Sequence, residues 1–264
     1  MQSKLRLDAL LVARGVFESR SRAAAAVLAG EVTVGGVRAE KPGQPVATDV
    51  EISVAQAPRF VSRGGIKLAN ALAASRVVAQ GRLALDVGAS TGGFTDCLLA
   101  AGAQHVAAVD VGYGELSWRL RGDPRVTVIE RTNARNLSRT LLPYAPELIV
   151  IDVSFISLRT VLPAVLACAA NRYDVLALVK PQFEVGRGNV GKGGVVRDAE
   201  LRVAALVAVG EAALAAGAAV IGYWFSGLPG PKGNLETFIQ LAEAGRGGVG
   251  PADLRRLALE SEPS

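Results

Sequence analysis

Leu83-Ala84-Leu85-Asp86-Val87-Gly88-Ala89-Ser90-Thr91-Gly92-Gly93-Phe94-Thr95-Asp96-Cys97-Leu98-Leu99-Ala100 reads as a buried strand, a glycine-rich turn and the start of a helix. A turn of this kind lets a ligand approach bare backbone amides at the positive end of the helix dipole. The spacing is Gly-x-x-x-Gly-Gly, so the Gly-x-Gly-x-x-Gly dinucleotide fingerprint is absent. No Gly-Lys-Ser/Thr follows, so the turn is not a phosphate-cradling loop. Asp86, just ahead of the first glycine, suits a nucleoside-type ligand.

Outward from this stretch, strand and helix patterns alternate. Strands are expected at 83–87, 106–110, 126–129, 148–152, 175–179 and 218–225, which predicts an α/β fold with a mostly parallel central sheet. Such sheets bind ligands at the carboxyl ends of their strands. Asp110 closes the second strand, ahead of Val111-Gly112-Tyr113-Gly114, where a carboxylate can accept hydrogen bonds from both ribose hydroxyls. Asp86 would meet an ammonium group at a methionine end, Asn133 in the 130–135 run would reach an adenine, and Asp152 would reach the transfer point. This set points to S-adenosylmethionine. Gly88, Ser90, Thr91, Gly92, Gly93, Phe94 and Val111 complete the expected cofactor contacts.

At 264 residues, half of them apolar, the chain can hold one large domain and a small one. Its net charge of +5 leans toward a polyanionic partner. Cys97, Cys168 and the single His105 exclude a Cys/His zinc cluster, so no metal site is expected. Charges interrupt the first eight residues, so no signal peptide is expected. The 203–225 stretch carries only Glu211, yet Gly210, Gly217 and Gly222 divide it into a helix and a buried strand rather than a membrane span. A monomer in the reducing cytoplasm is expected.

Residues 1–54 form a separate small α+β unit. Leu7, Leu10 and Leu11 recur at helical spacing before Gly15. Ser19 or Ser21 opens a second helix that Gly30 closes, and Val32-Thr33-Val34 turns through Gly35-Gly36 into a hairpin. The Ser-Arg-Ser-Arg-x-Ala run and the Gly-Glu-Val-Thr-Val-Gly-Gly hairpin resemble the RNA-binding module of the ribosomal protein S-four family. That resemblance implies RNA contacts from Arg6, Arg14, Arg20, Arg22, Arg38 and Lys41. Residues 41–45 read as loop, 55–62 as a linker, 63–245 as the large domain, and 246–264 as a frayed tail.

Four further residues fall at element ends: Lys67, Asp152, Lys180 and Glu236. A lysine closing a buried strand, as Lys180 does, loses its proton readily when desolvated or near another cation. A poor nucleophile such as a ribose 2′-hydroxyl needs such a base. The Lys-Asp-Lys-Glu set resembles the FtsJ-like ribose 2′-O-methyltransferases, and with it a Rossmann-like methyltransferase fold. Asp-Val-Gly-Ala-Ser-Thr-Gly-Gly-Phe-Thr, Glu-Arg-Thr-Asn-Ala-Arg, Ser-Phe-Ile-Ser-Leu and Val-Lys-Pro-Gln-Phe-Glu resemble the TlyA family, known both as haemolysins and as rRNA methyltransferases. The resemblance implies a cytidine 2′-hydroxyl in ribosomal RNA as the methyl acceptor. The linker departs from the Arg-x-Trp-Val of actinobacterial members, with Phe60 at the aromatic position. Two other readings are a membrane-active haemolysin and a non-catalytic RNA-binding or ribosome assembly factor.

Overall fold

The computed structural model describes residues 4–54 and 59–263. The chain divides into two compact units, Met1–Arg59 and Phe60–Ser264.

In the first unit β1 (Lys4–Arg6) runs into α1 (Leu7–Ala13), followed by α2 (Arg20–Ala29), β2 (Val32–Val34), β3 (Val37–Arg38), β4 (Pro45–Ala47) and β5 (Ile52–Val54). The Ser19 hydroxyl accepts the Arg22 amide at 3.3 Å and caps α2, which Gly30 ends at a φ of 79°. β2 pairs antiparallel with β3 and β5, and β1 with β4. Leu7, Leu11, Ala23, Val27 and Val32 are buried between helices and strands. Residues 41–45 were expected as loop throughout, but Pro45 opens β4; a three-residue strand next to proline has too short a pattern to read.

The second unit runs α3 (Arg63–Ser75), β6 (Leu83–Val87), α4 (Gly93–Ala100), β7 (His105–Val109), α5 (Trp118–Arg121), β8 (Val126–Ile129), β9 (Leu148–Ile151), α6 (Leu158–Leu166), β10 (Asp174–Val179), α7 (Pro181–Glu184), α8 (Ala199–Ala215), β11 (Ala218–Phe225), β12 (Thr237–Glu243) and α9 (Pro251–Glu260). One sheet holds them in the order β11-β12-β10-β9-β6-β7-β8, parallel from β10 to β8, with β12 antiparallel to both neighbours. Side chains alternate across it. Leu85, Ile149, Ile151, Val175 and Val179 face the layer of α6, α8 and α9. Ala84, Leu148, Val150, Leu176 and Leu178 face the layer of α3 and α4.

Three expectations change. β12 was not foreseen, because its polar Gln240 and the Pro229-Gly230-Pro231 loop ahead of it masked a strand buried by its neighbours. The frayed tail is instead α9: Pro251 opens it, and Leu254 and Ala258, one turn apart, are fully buried against the core. The glycines at 245, 247, 248 and 250 concealed the helix behind them. Of the expected 55–62 linker, 55–58 lie outside the described residues, while Phe60 is buried in the second unit. A Cβ on Gly65 would stand 2.4 Å from the Phe60 Cβ, so that helix turn accepts the ring only as glycine. The Val61 amide donates to Asp96 Oδ2 at 2.9 Å.

Candidate active site

The turns after β6, β7, β9 and β10 emerge at one end of the sheet. β12 runs the opposite way, so its first residues reach the same end. The pairing of Val179 with Thr237 brings the neighbouring Lys180 and Glu236 to one edge. Val87 pairs with Ile151, and just beyond them Gly88 (φ 87°) has its Cβ position 2.5 Å from the Asp152 carbonyl oxygen. Any side chain there would force the two turns apart.

Two adjoining clefts open at this end. The first, of about 430 Å³, is lined by Lys67, Asp152, Lys180 and Glu236 together with Ser90, Thr91, Gly93 and Phe94. The second, of about 470 Å³, is lined by Asp110, Val111, Asn133 and Phe155. Gly88, Ser90, Asp152 and Ser154 belong to both. These volumes lie in the range of small-ligand sites. Gly92 lines neither; at φ 97° it backs the turn against Leu116 and Leu120.

Each lysine has its own carboxylate. Lys67 and Glu236 form an ion pair that is almost wholly buried. Lys180 Nζ lies 2.6 Å from Asp152 Oδ1, a charge contact without hydrogen-bond angles, and donates a hydrogen bond to Ser154 Oγ at 2.9 Å. Asp110 accepts the Ser90 amide at 2.7 Å through Oδ2 and the Gly112 amide at 2.7 Å through Oδ1. Each oxygen keeps a lone pair for a hydroxyl. Asn133 turns its Oδ1 to the Arg135 amide at 3.1 Å. Ser90 and Phe155 both hold positive φ, 47° and 64°, a strain typical of functional turns. The Phe155 ring is 91% exposed, 5.3 Å from that of Phe183.

The site fits a nucleoside-type cofactor. A side-chain-free turn at Gly88 borders both clefts, a carboxylate stands at the end of β7, and the first cleft is lined by two lysine–acid contacts, one buried and one half-buried. Residues 60–243 match the FtsJ-like methyltransferase family and residues 5–52 the S4 domain. The chain is 49% identical over 243 residues to the 16S/23S rRNA (cytidine-2'-O)-methyltransferase TlyA of Mycobacterium tuberculosis, covering 91% of each.

The chain belongs to the TlyA family of FtsJ-like methyltransferases.

Another relative, Hemolysin A of Brachyspira hyodysenteriae, is 40% identical, with 88% of this chain and 97% of that protein covered. The solved structure of a hemolysin-named protein from Streptococcus thermophilus superposes with a TM-score of 0.74 at 38% identity, covering 99% of this chain and 96% of that one. In this FtsJ-like methyltransferase no helix among the described residues is long and apolar enough to cross a membrane.

Asp86 is where expectation and geometry part. It lines neither cleft; it is fully buried in β6, accepts the Thr95 hydroxyl at 2.7 Å through Oδ2, and leaves Oδ1 without a partner. Burial pushes its carboxyl up to about 7, against the pull of the Thr95 hydrogen bond and with help from the charges of Asp152 and Asp110. An unfolded aspartate ionises near about 3.9, so this group's contribution to stability is present below that pH and lost as pH rises through about 7. Asp86→Asn is expected to flatten that decline. Urea midpoints compared between about pH 5 and about pH 8 check it, and an unchanged slope would count against the assignment.

In the first unit all six expected basic residues are exposed, but not all are free of partners. Arg6 and Arg20 both pair with Asp8, at 2.8 Å and 3.1 Å, and the Arg6 hydrogen bond holds that carboxyl well below the usual range. Arg22 pairs with Glu18 at 2.9 Å, Arg14 donates to the Thr48 carbonyl at 2.7 Å, and the Arg38 guanidinium covers Gly30. Ser62, Arg63 and Ser154 line the first cleft and were given no role from sequence. For Ser154 the signal was there: it stands two residues past Asp152 in a turn that ends a buried strand.

Proposed function

We propose that this chain methylates the ribose 2′-hydroxyl of a cytidine in ribosomal RNA, with S-adenosylmethionine as donor. The observation that carries the reading is two lysine–carboxylate contacts in one cleft that adjoins the glycine turn. Gly88, Ser90, Thr91, Gly93 and Phe94 would hold the methionine half, and Asp110, Val111 and Asn133 the adenosine half. When bound, S-adenosylmethionine supplies an electrophilic methyl sulfonium. Lys180, as the neutral amine, takes the ribose proton, and Asp152 balances the ammonium that results. Glu236 holds Lys67 in the cleft wall, where its cation attracts electron density from the substrate hydroxyl. Phe155 offers an exposed ring at the cleft mouth, a face suited to an unstacked base.

The first unit would dock on phosphates through Arg6, Arg14, Arg20, Arg22, Arg38 and Lys41. Lys41→Ala is expected to weaken RNA binding uniformly across sequences and to reduce the salt slope by about one. Filter binding across a salt series measures this; an unchanged slope would remove Lys41 from the interface. The activity itself is tested with the purified chain, radiolabelled S-adenosylmethionine and ribosomal subunits. Label at cytidine 2′-oxygens is the expected product, and label on bases alone would overturn the reading.

A further inference from the structure

Ser154 borders three cavities of the second unit. Two are the clefts above. The third, of about 330 Å³, is walled by Gln182, Phe183, Val190 and Lys232. Its hydroxyl is exposed to this junction and accepts a hydrogen bond from Lys180 Nζ at 2.9 Å.

We propose that Ser154 is a positioning residue that sets the direction of the Lys180 lone pair, an inference that rests on Lys180 being the base. A neutral amine carries two N–H bonds and one lone pair, and it rotates about its Cε–Nζ bond. Asp152 lies close enough to attract an N–H by charge, but its contact lacks the angles that fix an orientation. Ser154 supplies the directional bond. With one N–H on Ser154 and the other drawn toward Asp152, the lone pair faces the cleft. As the ribose oxygen bonds to the methyl carbon and the carbon–sulfur bond breaks, the hydroxyl proton passes to that lone pair. The ammonium then returns the proton to solvent after S-adenosylhomocysteine leaves.

The turn that carries Ser154 is anchored against the one that carries Lys180. Buried Glu184, four residues past Lys180, accepts the Ser157 hydroxyl at 2.5 Å and the Leu158 amide at 2.7 Å. Serine and lysine are therefore held in register by a contact outside the cleft.

The test uses the full chain with ribosomal RNA and compares Ser154→Ala, Ser154→Thr and Lys180→Ala. Ser154→Ala is expected to lower kcat about tenfold, with the KM for S-adenosylmethionine changed less than about twofold. Losing an acceptor for the ammonium moves the acid limb of the pH–rate profile to lower pH. Ser154→Thr, which keeps the hydroxyl, restores most of the rate. In the chain without cofactor, competitive acetylation of Lys180 by acetic anhydride follows the same shift. If Ser154→Ala keeps the parent kcat and pH profile while Lys180→Ala is inactive, the positioning role is overturned and the base stands. A slow Ser154→Ala with an unchanged Lys180 labelling profile also overturns it. Full activity in Lys180→Ala overturns the underlying reading instead.

Discussion

Lys180→Ala is expected to slow methyl transfer by about 10²–10⁴-fold, the range of a lost general base. Lys180 is the lysine that reaches the junction of the clefts, through Ser154 and Asp152. The proposed cofactor contacts come from the turns after β6, β7 and β8, so calorimetry should give a dissociation constant for S-adenosylmethionine within about threefold of the parent. Lys180→Arg should fare no better than alanine, since a guanidinium does not give up its proton in proteins. Single-turnover transfer to ribosomal RNA measures both. A variant that retains the parent rate would leave the reaction without its base.

The second large effect concerns Lys67 and Glu236, whose ion pair is 8% and 2% exposed at the side chains. Removing one partner strands the other charge in the interior, which typically costs about 3–5 kcal/mol. Glu236→Ala and Lys67→Ala should each lose stability on that scale. Lys67→Met combined with Glu236→Leu replaces the pair by apolar groups of similar size, a change that is often neutral or stabilising. The double variant should therefore fold well and still fail to methylate. Denaturant midpoints beside transfer assays separate the two outcomes. A stable and active double variant would reduce the pair to a structural accessory.

Much of this molecule was legible in its sequence, for identifiable reasons. β6, β7, β9 and β10 are buried on both faces, so they appear as short apolar runs, broken in β6 only by Asp86, and the residues that follow each strand fall at the ligand-binding end. Asp110, Asp152 and Lys180 could be found that way. β12 could not, because its burial comes from insertion between β11 and the sequence-distant β10, and no local pattern records that. α9 was hidden by the glycines before it and depends on Leu254 and Ala258 meeting the core. The burial of Asp86 was invisible because an acid at a strand end looks the same whether it faces a ligand or, as here, a threonine hydroxyl behind the strand. The charge partners in the first unit, such as Asp8 between Arg6 and Arg20, arise from folding and are not written in spacing.

The reversed direction of β12 has a consequence for any shortened form of this protein. β11 lies at the sheet edge with β12 as its strand neighbour there, and the Glu236 that neutralises Lys67 stands immediately before β12, 169 positions along the chain. A product ending before residue 237 would lose the acid or leave it unanchored, detach β11 from the sheet, and leave a cation stranded under the cleft. Chemistry and structural integrity are thus made contingent on the same late segment. A polypeptide interrupted before that segment lacks at once the strand that joins β11 to the sheet and the anchored partner of Lys67.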